Sequence, residues 1–197
     1  MSDYCERILA EARRQIGAET SLRWALYPVE HEPIRRWCHM VECNNPLYLD
    51  PAYAAGTRFG RVVCPPLMIP IFATLGLPSR PSASGPEIDW PPAPAGQPSD
   101  ELDPPTAGPH AINLGGTLEF RERVFVGDRL GSKKRLVDVY IKRIKIDPEA
   151  FWIVTDTIYV NQDERIVAVN RNTLIRHRSR ELIAATTPEQ LALLPAQ

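Results

Sequence analysis

The thirteen residues PPLMIPIFATLGL, positions 65 to 77, carry no charge and present an apolar side chain on nearly every side of any regular element they form. A segment of this kind has no face to give to water, so the rest of the chain must supply its cover. Its length, with prolines at its mouth and Gly76 near its end, predicts a helix rather than a strand, with Pro70 disturbing the first turns. The cover lies downstream. INLGGTLEFRERV (112–124), RLGSKKRLVDVYIKRIK (129–145), AFWIVTDTIYVNQ (150–162) and RIVAVNRNTLIRHR (165–178) are rich in Val, Ile, Thr, Tyr and Phe. They are divided by the turn signals VGD, IDPEA and NQDE. Four consecutive strands with short connections predict an antiparallel sheet, and TIYVNQDERIVAVN reads as a hairpin. One apolar helix and a sheet to wrap it make an α+β fold.

Upstream, residues 3–18 place Ile8, Leu9, Ala12 and Ile16 at helical spacing among Glu and Arg, predicting an amphipathic helix that ends near Gly17. SLRWALYPVE is strand-like up to Pro28. HEPIRRWCHMVEC then predicts a helix with Pro33 in its first turn and Ile34, Trp37, Cys38 and Val41 along one face. ECNNPLYLD (42–50) is a loop leaving that helix, and DPAYAAG is one short helical turn. Residues 78–109 hold ten of the twenty prolines and predict an irregular segment, either a lid anchored by Ile88 and Trp90 or an insertion without fixed structure. The expected organisation is an N-terminal helix over 1–24, one domain over 25–178 and a tail or short helix over 179–197.

Twenty-three basic and twenty-four acidic residues give a formal charge of -1, which offers no general attraction for nucleic acid or anionic membranes. KKRLVDVYIKRIK alternates cations with Leu, Val and Ile as a strand with one wet face does, without the aromatic interleaving of a nucleic-acid surface. Charges run through the first nineteen residues and no long uncharged stretch follows, so a cytoplasmic protein is expected. Cys5, Cys38, Cys43 and Cys64 lack C-x-x-C spacing and paired histidines, which predicts reduced, mostly buried thiols rather than a disulfide framework, and no metal site. No cofactor is expected.

Taken together, IRRWCHMVECNNPLYLDPAYA, GRVVCPPLM, FRERVFVGDRL and VNQDERIVAVNRNTLIRH resemble the MaoC-like (R)-specific enoyl-CoA hydratase and 3-hydroxyacyl dehydratase family, in its N-terminal-type hot-dog domain. The resemblance spans roughly residues 25 to 178. It implies a single hot-dog domain, a long central helix wrapped by a curved antiparallel sheet. In active members the loop reads Gly-Asp-x-Asn-Pro-(aliphatic)-His, and its aspartate and histidine hold and activate the water that adds across the enoyl thioester. Here the same frame reads Glu42-Cys43-Asn44-Asn45-Pro46-Leu47-Tyr48. Cys43 stands at the aspartate position and Tyr48 at the histidine position.

Hydration needs a group that accepts a proton from water and returns one near neutral pH. Carboxylate and imidazole, at about 4 and about 6.5, suit that work; phenol at about 10 and thiol at about 8.5 do not. The loop therefore has a catalytic outline without its acid/base pair, and no catalytic residue is assigned. Asn45 bonds neighbouring backbone in this reading, Pro46 stiffens the exit, and Tyr48 fills the histidine's space. His39, one turn before Cys43, raises the idea of a Cys/His nucleophile, but no third group orients it. Glu42 and Asp50 are the nearest carboxylates, and Asp50, ahead of Pro51, reads as a helix cap. In FVGDRL, Gly127 supplies a turn and Asp128 bonds backbone amides.

The residues expected to bind acyl-CoA are Asn45, Leu47, Met68 and Phe72 around the loop and central helix, with Arg171, Arg176 and Arg178 for its phosphates. What the resemblance implies is the non-catalytic, pocket-shaping subunit of a hetero-oligomeric hydratase or dehydratase for bulky steroid- or lipid-type acyl chains. Its partner would be a catalytic MaoC-like subunit, or a second copy of itself. A self-sufficient hot-dog hydratase or thioesterase, and an acyl-CoA-binding module without a reaction, remain the alternatives.

Overall fold

The computed structural model describes residues 2–74 and 102–185. The apolar segment begins as a single 3-10 turn, Pro66–Met68, and continues as helix α5, Ile69–Thr74. Pro70 sits in the first turn of α5, where a missing N–H costs nothing, so the proline expected to disturb the helix is accommodated at its start. Met68, Ile69, Phe72 and Ala73 are all 2% exposed or less. The remainder of the expected central helix, and residues 78–101 of the proline-rich stretch, lie outside the described residues.

The cover is a five-stranded antiparallel sheet of β1 (Arg23–Trp24), β2 (His110–Phe120), β3 (Gly131–Ile141), β4 (Phe151–Val160) and β5 (Ile166–His177). Its order is β1-β3-β4-β5-β2. The β4–β5 pair is the hairpin expected from TIYVNQDERIVAVN, turned by Asn161, whose side chain accepts from the N–H groups of Asp163 and Arg165. Strand β2, by contrast, does not pair with β3, its neighbour in sequence, but lies on the far edge beside β5. The connection from 121 to 130 crosses over the core instead of turning back. It is held there because Val124 is buried, its carbonyl accepts from Cys64 N–H at 2.8 Å, and Val126 N–H donates to Val62 at 3.1 Å. Gly127 makes the turn at φ +93°, and buried Asp128 accepts from Phe125 N–H at 2.8 Å, as expected of FVGDRL. On β2, the backbone at Gly116 approaches Arg171 so closely that a Cβ would stand 1.7 Å from its carbonyl oxygen. Only glycine fits that edge.

Helix α1 (Asp3–Arg14) stops before the expected boundary, and Gln15 to Gly17 leave it in a tighter turn, with Gly17 N–H donating to Leu136. Ile16 is consequently exposed, not part of the buried face. Cys5, Leu9 and Ala12 pack on Leu136, Val139, Phe151 and Ile153, which makes one core cluster. A second, around α5, joins Val29, Ile34 and Cys38 to Leu130, Tyr159, Val167 and Ala168. Only Arg23–Trp24 of SLRWALYPVE pairs as a strand, although Thr20 N–H also bonds Lys134 on the same side of β3. Helix α6 (Arg180–Ala185) follows β5. Among the described residues no helix is long and apolar enough to cross a membrane.

Candidate functional site

The loop 42–50 grows out of the C-terminus of helix α2 (His31–Met40). Glu42 adopts the left-handed conformation at φ +54°, its N–H reaches back to His39 at 3.4 Å, and Cys43 N–H reaches Cys38 at 2.8 Å. This is a Schellman termination, in which the residue after the cap turns left-handed and the next one packs back on the helix. Glu42 therefore holds, against its own preference, a turn that favours glycine, the residue at this place in the resembled family's loop pattern. Cys43 is the residue that packs back, against the core cluster that holds Cys38.

Asn45 caps the short helix α3 (Pro46–Leu49), its side chain accepting from Leu47 N–H at 3.0 Å. Asp50 caps α4 (Pro51–Ala55), accepting from Ala52 and Tyr53 N–H groups at 2.8 and 3.1 Å. Both polar side chains are thus committed to backbone, as read from the sequence for Asp50. The tyrosine is anchored from outside the loop: the His31 ring nitrogen Nε2 lies 2.9 Å from the Tyr48 carbonyl oxygen. The histidine that matters here is therefore His31, not His39, which is exposed on α2 and makes no bond to Cys43 among the described residues.

Three groups at or beside this loop are moved further from neutrality by burial. Burial, then the Cys43 thiol, push the Tyr48 phenol up, and the nearby Arg123 guanidinium only partly opposes them. Burial also pushes the Cys38 thiol up to about 11 and the Cys64 thiol to about 12. All three stay protonated at physiological pH.

Residues 62–64 tie the loop to an adjoining cleft. Val63 N–H donates to the Leu47 carbonyl at 3.1 Å, while Cys64 and Val62 bond the crossing connection on the other side. The cleft, of about 240 Å³, is lined by Val63, Cys64, Pro66, Ile69, Phe120 and residues 121 to 124. Its floor is apolar and its rim carries Arg121 and Arg123. Glu122, the one carboxylate lining it, is ion-paired with Arg165. Beside it, Arg58 and Arg123 lie 4.9 and 4.7 Å from the centre of the Phe59 ring, and Arg61 lies 4.4 Å from that of Phe125.

None of the seven residues expected to bind acyl-CoA lines this cleft. Met68 and Phe72 are buried in the core, and the wall from their segment is made by Pro66 and Ile69. Asn45 and Leu47 shape the loop's backbone. Arg171 lines a separate cleft of about 420 Å³, with Thr117, Glu119, Arg135 and Asp156. By strand alternation this is the sheet face away from α5, since Leu118 packs on the α5 core. Its Nε donates to buried Asp156 at 2.7 Å. Arg176 donates to the Pro109 carbonyl and, at 3.4 Å, to Asp103. Arg178, 6% exposed, is locked to Asp147 at 2.7 Å and to Glu149 at 3.2 Å. Each of the three arginines expected to bind phosphate has a carboxylate partner of its own: Asp156 for Arg171, Asp103 for Arg176 and Asp147 for Arg178. Sequence reasoning passed over Arg58, Phe59 and Arg123: TRF and FRERVF set arginines next to aromatics before and after the apolar segment.

A family model described as FAS1-like, dehydratase domain region matches residues 14–170. No curated protein matches the chain. Its fold is similar to a chain of the ChsH1-ChsH2 complex from Mycobacterium tuberculosis, with a TM-score of 0.63 and 19% identity, over 92% of this chain and 99% of that one. It is similar to a MaoC-like dehydratase from Rhodospirillum rubrum, with a TM-score of 0.53 and 17% identity over 83% and 92% of the two chains. It is also similar to a chain of the HadBC (3R-hydroxyacyl-ACP dehydratase) complex of M. tuberculosis, with a TM-score of 0.50 and 16% identity over 82% and 98%. These neighbours share the hot-dog architecture, an antiparallel sheet around a helix. With the match covering most of its length, the chain belongs to the FAS1-like dehydratase family, and its fold is the MaoC-like hot-dog.

Proposed function

We propose that this chain is a non-catalytic, pocket-shaping subunit of an enoyl-thioester hydratase or dehydratase, working beside a catalytic hot-dog subunit on a bulky steroid- or lipid-type acyl chain. The observation that carries the reading is the chemistry of the loop. Its aspartate position is Cys43, packed on Cys38, and its histidine position is Tyr48, a phenol held above its ordinary range by burial. Asn45 and Asp50 are committed as caps. Without a proton acceptor near neutral pH, such a loop orients but does not hydrate. Two of the similar folds belong to two-chain complexes, which supports a heteromeric partner. Four free cysteines suit a reducing, cytoplasmic setting.

The test is an assay of the purified chain and of a catalytic partner, apart and together, with crotonyl-CoA and a steroidal enoyl-CoA. Alone, the chain is expected to leave both untouched; together, hydration of the bulky substrate exceeds the sum of the parts. Turnover by the isolated chain that Cys43→Ala or Tyr48→Phe abolishes would overturn the proposal in favour of a self-sufficient enzyme.

A further inference from the structure

We propose that Arg58 and Arg123, braced on Phe59, form a phosphate-binding rim for the phosphopantetheine arm of a thioester whose acyl end enters the adjoining cleft. This rests on the hydratase-subunit reading for the identity of the thioester.

Four exposed arginines surround the cleft mouth, and their partners sort them. Arg61 is paired with Asp128 at 3.2 Å and Arg121 with Glu119 at 3.4 Å. Among the described residues Arg58 and Arg123 have no carboxylate within ion-pair distance; each is placed over the Phe59 ring. Stacking uses the flat face of a guanidinium and leaves the N–H groups on its edge free. Those edges form the paired donor fork that matches a phosphate. A ring contacted by both guanidiniums also restricts two long side chains, so less rotamer freedom is lost when an anion arrives.

The location points to a thioester rather than to a free anion. Arg123 lines the cleft itself, next to apolar Val63, Ile69 and Val124. Its charge also acts on the Tyr48 phenol of the loop. A ligand with phosphate on Arg58 and Arg123 and an apolar end in the cleft would lie against Val63, whose N–H bonds the Leu47 carbonyl of the loop. The phosphate ester is common to coenzyme A and to the arm of an acyl carrier protein.

Calorimetric titration of the full-length chain, alone and with the catalytic subunit bound, tests this with CoA, 4′-phosphopantetheine and pantetheine. The phosphate-bearing probes are expected to bind at least about tenfold more tightly than pantetheine, a preference that shrinks as salt is raised. Arg58→Gln and Arg123→Gln each remove about tenfold of it. Arg58→Lys keeps part, and Arg14→Gln, on a helix that does not line the cleft, changes it less than about twofold. CoA binding above phosphopantetheine assigns the rim to the nucleotide carrier; equal binding assigns it to the arm alone, as on a carrier protein. Equal affinity for pantetheine and its phosphate, or full preference in both Gln variants, would overturn the assignment while leaving the hydratase-subunit reading intact. Hydration by the isolated chain would do the reverse.

Discussion

Arginines at the two sides of the sheet do opposite things with the same side chain. On β5 and just beyond it, Arg171 and Arg178 direct their edge donors at carboxylates that are 1% exposed, Asp156 and Asp147. By the cleft, the exposed Arg58 and Arg123 lie over the Phe59 ring, with no carboxylate at ion-pair distance among the described residues. The first arrangement neutralises a buried charge and holds strands together; the second leaves a charge available. Register explains part of the difference. Arg135, Asp156 and Arg171 sit directly opposite one another on three adjacent strands, so the acidic residue in the middle has no choice of partner.

The largest expected effect separates the two groups by stability. Arg178→Ala strands Asp147 as an unpaired buried carboxylate, and removing one partner of a buried pair costs about 3–5 kcal/mol. Arg58→Ala, on an exposed side chain, stays within about 0.5 kcal/mol. Denaturant midpoints of the two variants, read with unchanged slopes, check the contrast. Similar losses in both would break it.

A smaller effect tests the central carboxylate. Hydrogen bonds from Arg171 and Arg135 outweigh burial and hold Asp156 below its ordinary value. Burial raises Asp147, but the bonds from Arg178 and the backbone outweigh it and leave that carboxyl lowered too. A carboxylate lowered in the folded state adds stability that is complete above its unfolded value and is lost as pH falls through its folded one. The chain should therefore lose stability below about pH 4, with part of that loss owed to these two groups. Asp156→Asn is expected to cost about 1–2 kcal/mol at neutral pH, because its partners are half exposed, and to flatten the acid limb. An acid limb identical to that of the parent protein would show that Asp156 is not ionised against its neighbours.

Much of this architecture is written in local pattern. The four long strands, the hairpin at Asn161, the caps at Asn45 and Asp50 and the burial of Met68 and Phe72 all follow from periodicity and turn chemistry. What pattern does not carry is which residues meet. Strand β2 crosses to β5 because of bonds made by Val124 and Val126 with residues 62–64, a pairing across sixty positions that no periodicity announces. The same holds at the site. RNTLIRHR looks like a cluster of free cations until Asp103, Asp147 and Asp156 are brought beside it. The pairing of Arg58 with Arg123 needs the crossing connection before it exists. The frame of the loop, in contrast, is legible from residue identities alone: Cys43 and Tyr48 stand where the resembled family's pattern has a carboxylate and an imidazole.

The smallest expected effect returns to that loop and separates its shape from its chemistry. Glu42 sits at φ +54°, where a side chain costs roughly 1–2 kcal/mol, while glycine would bring a backbone-entropy penalty of about 0.5–1 kcal/mol. Glu42→Gly should therefore stabilise the chain by about 0.5 kcal/mol, with the Cys43–Cys38 packing unchanged. Thermal denaturation reads the shift, and hydration of crotonyl-CoA by the variant should remain absent. If glycine brought turnover to the isolated chain, backbone strain at position 42 rather than the identities of Cys43 and Tyr48 would be what keeps this loop silent, and the contrast between a committed and an available polar group would no longer explain the site.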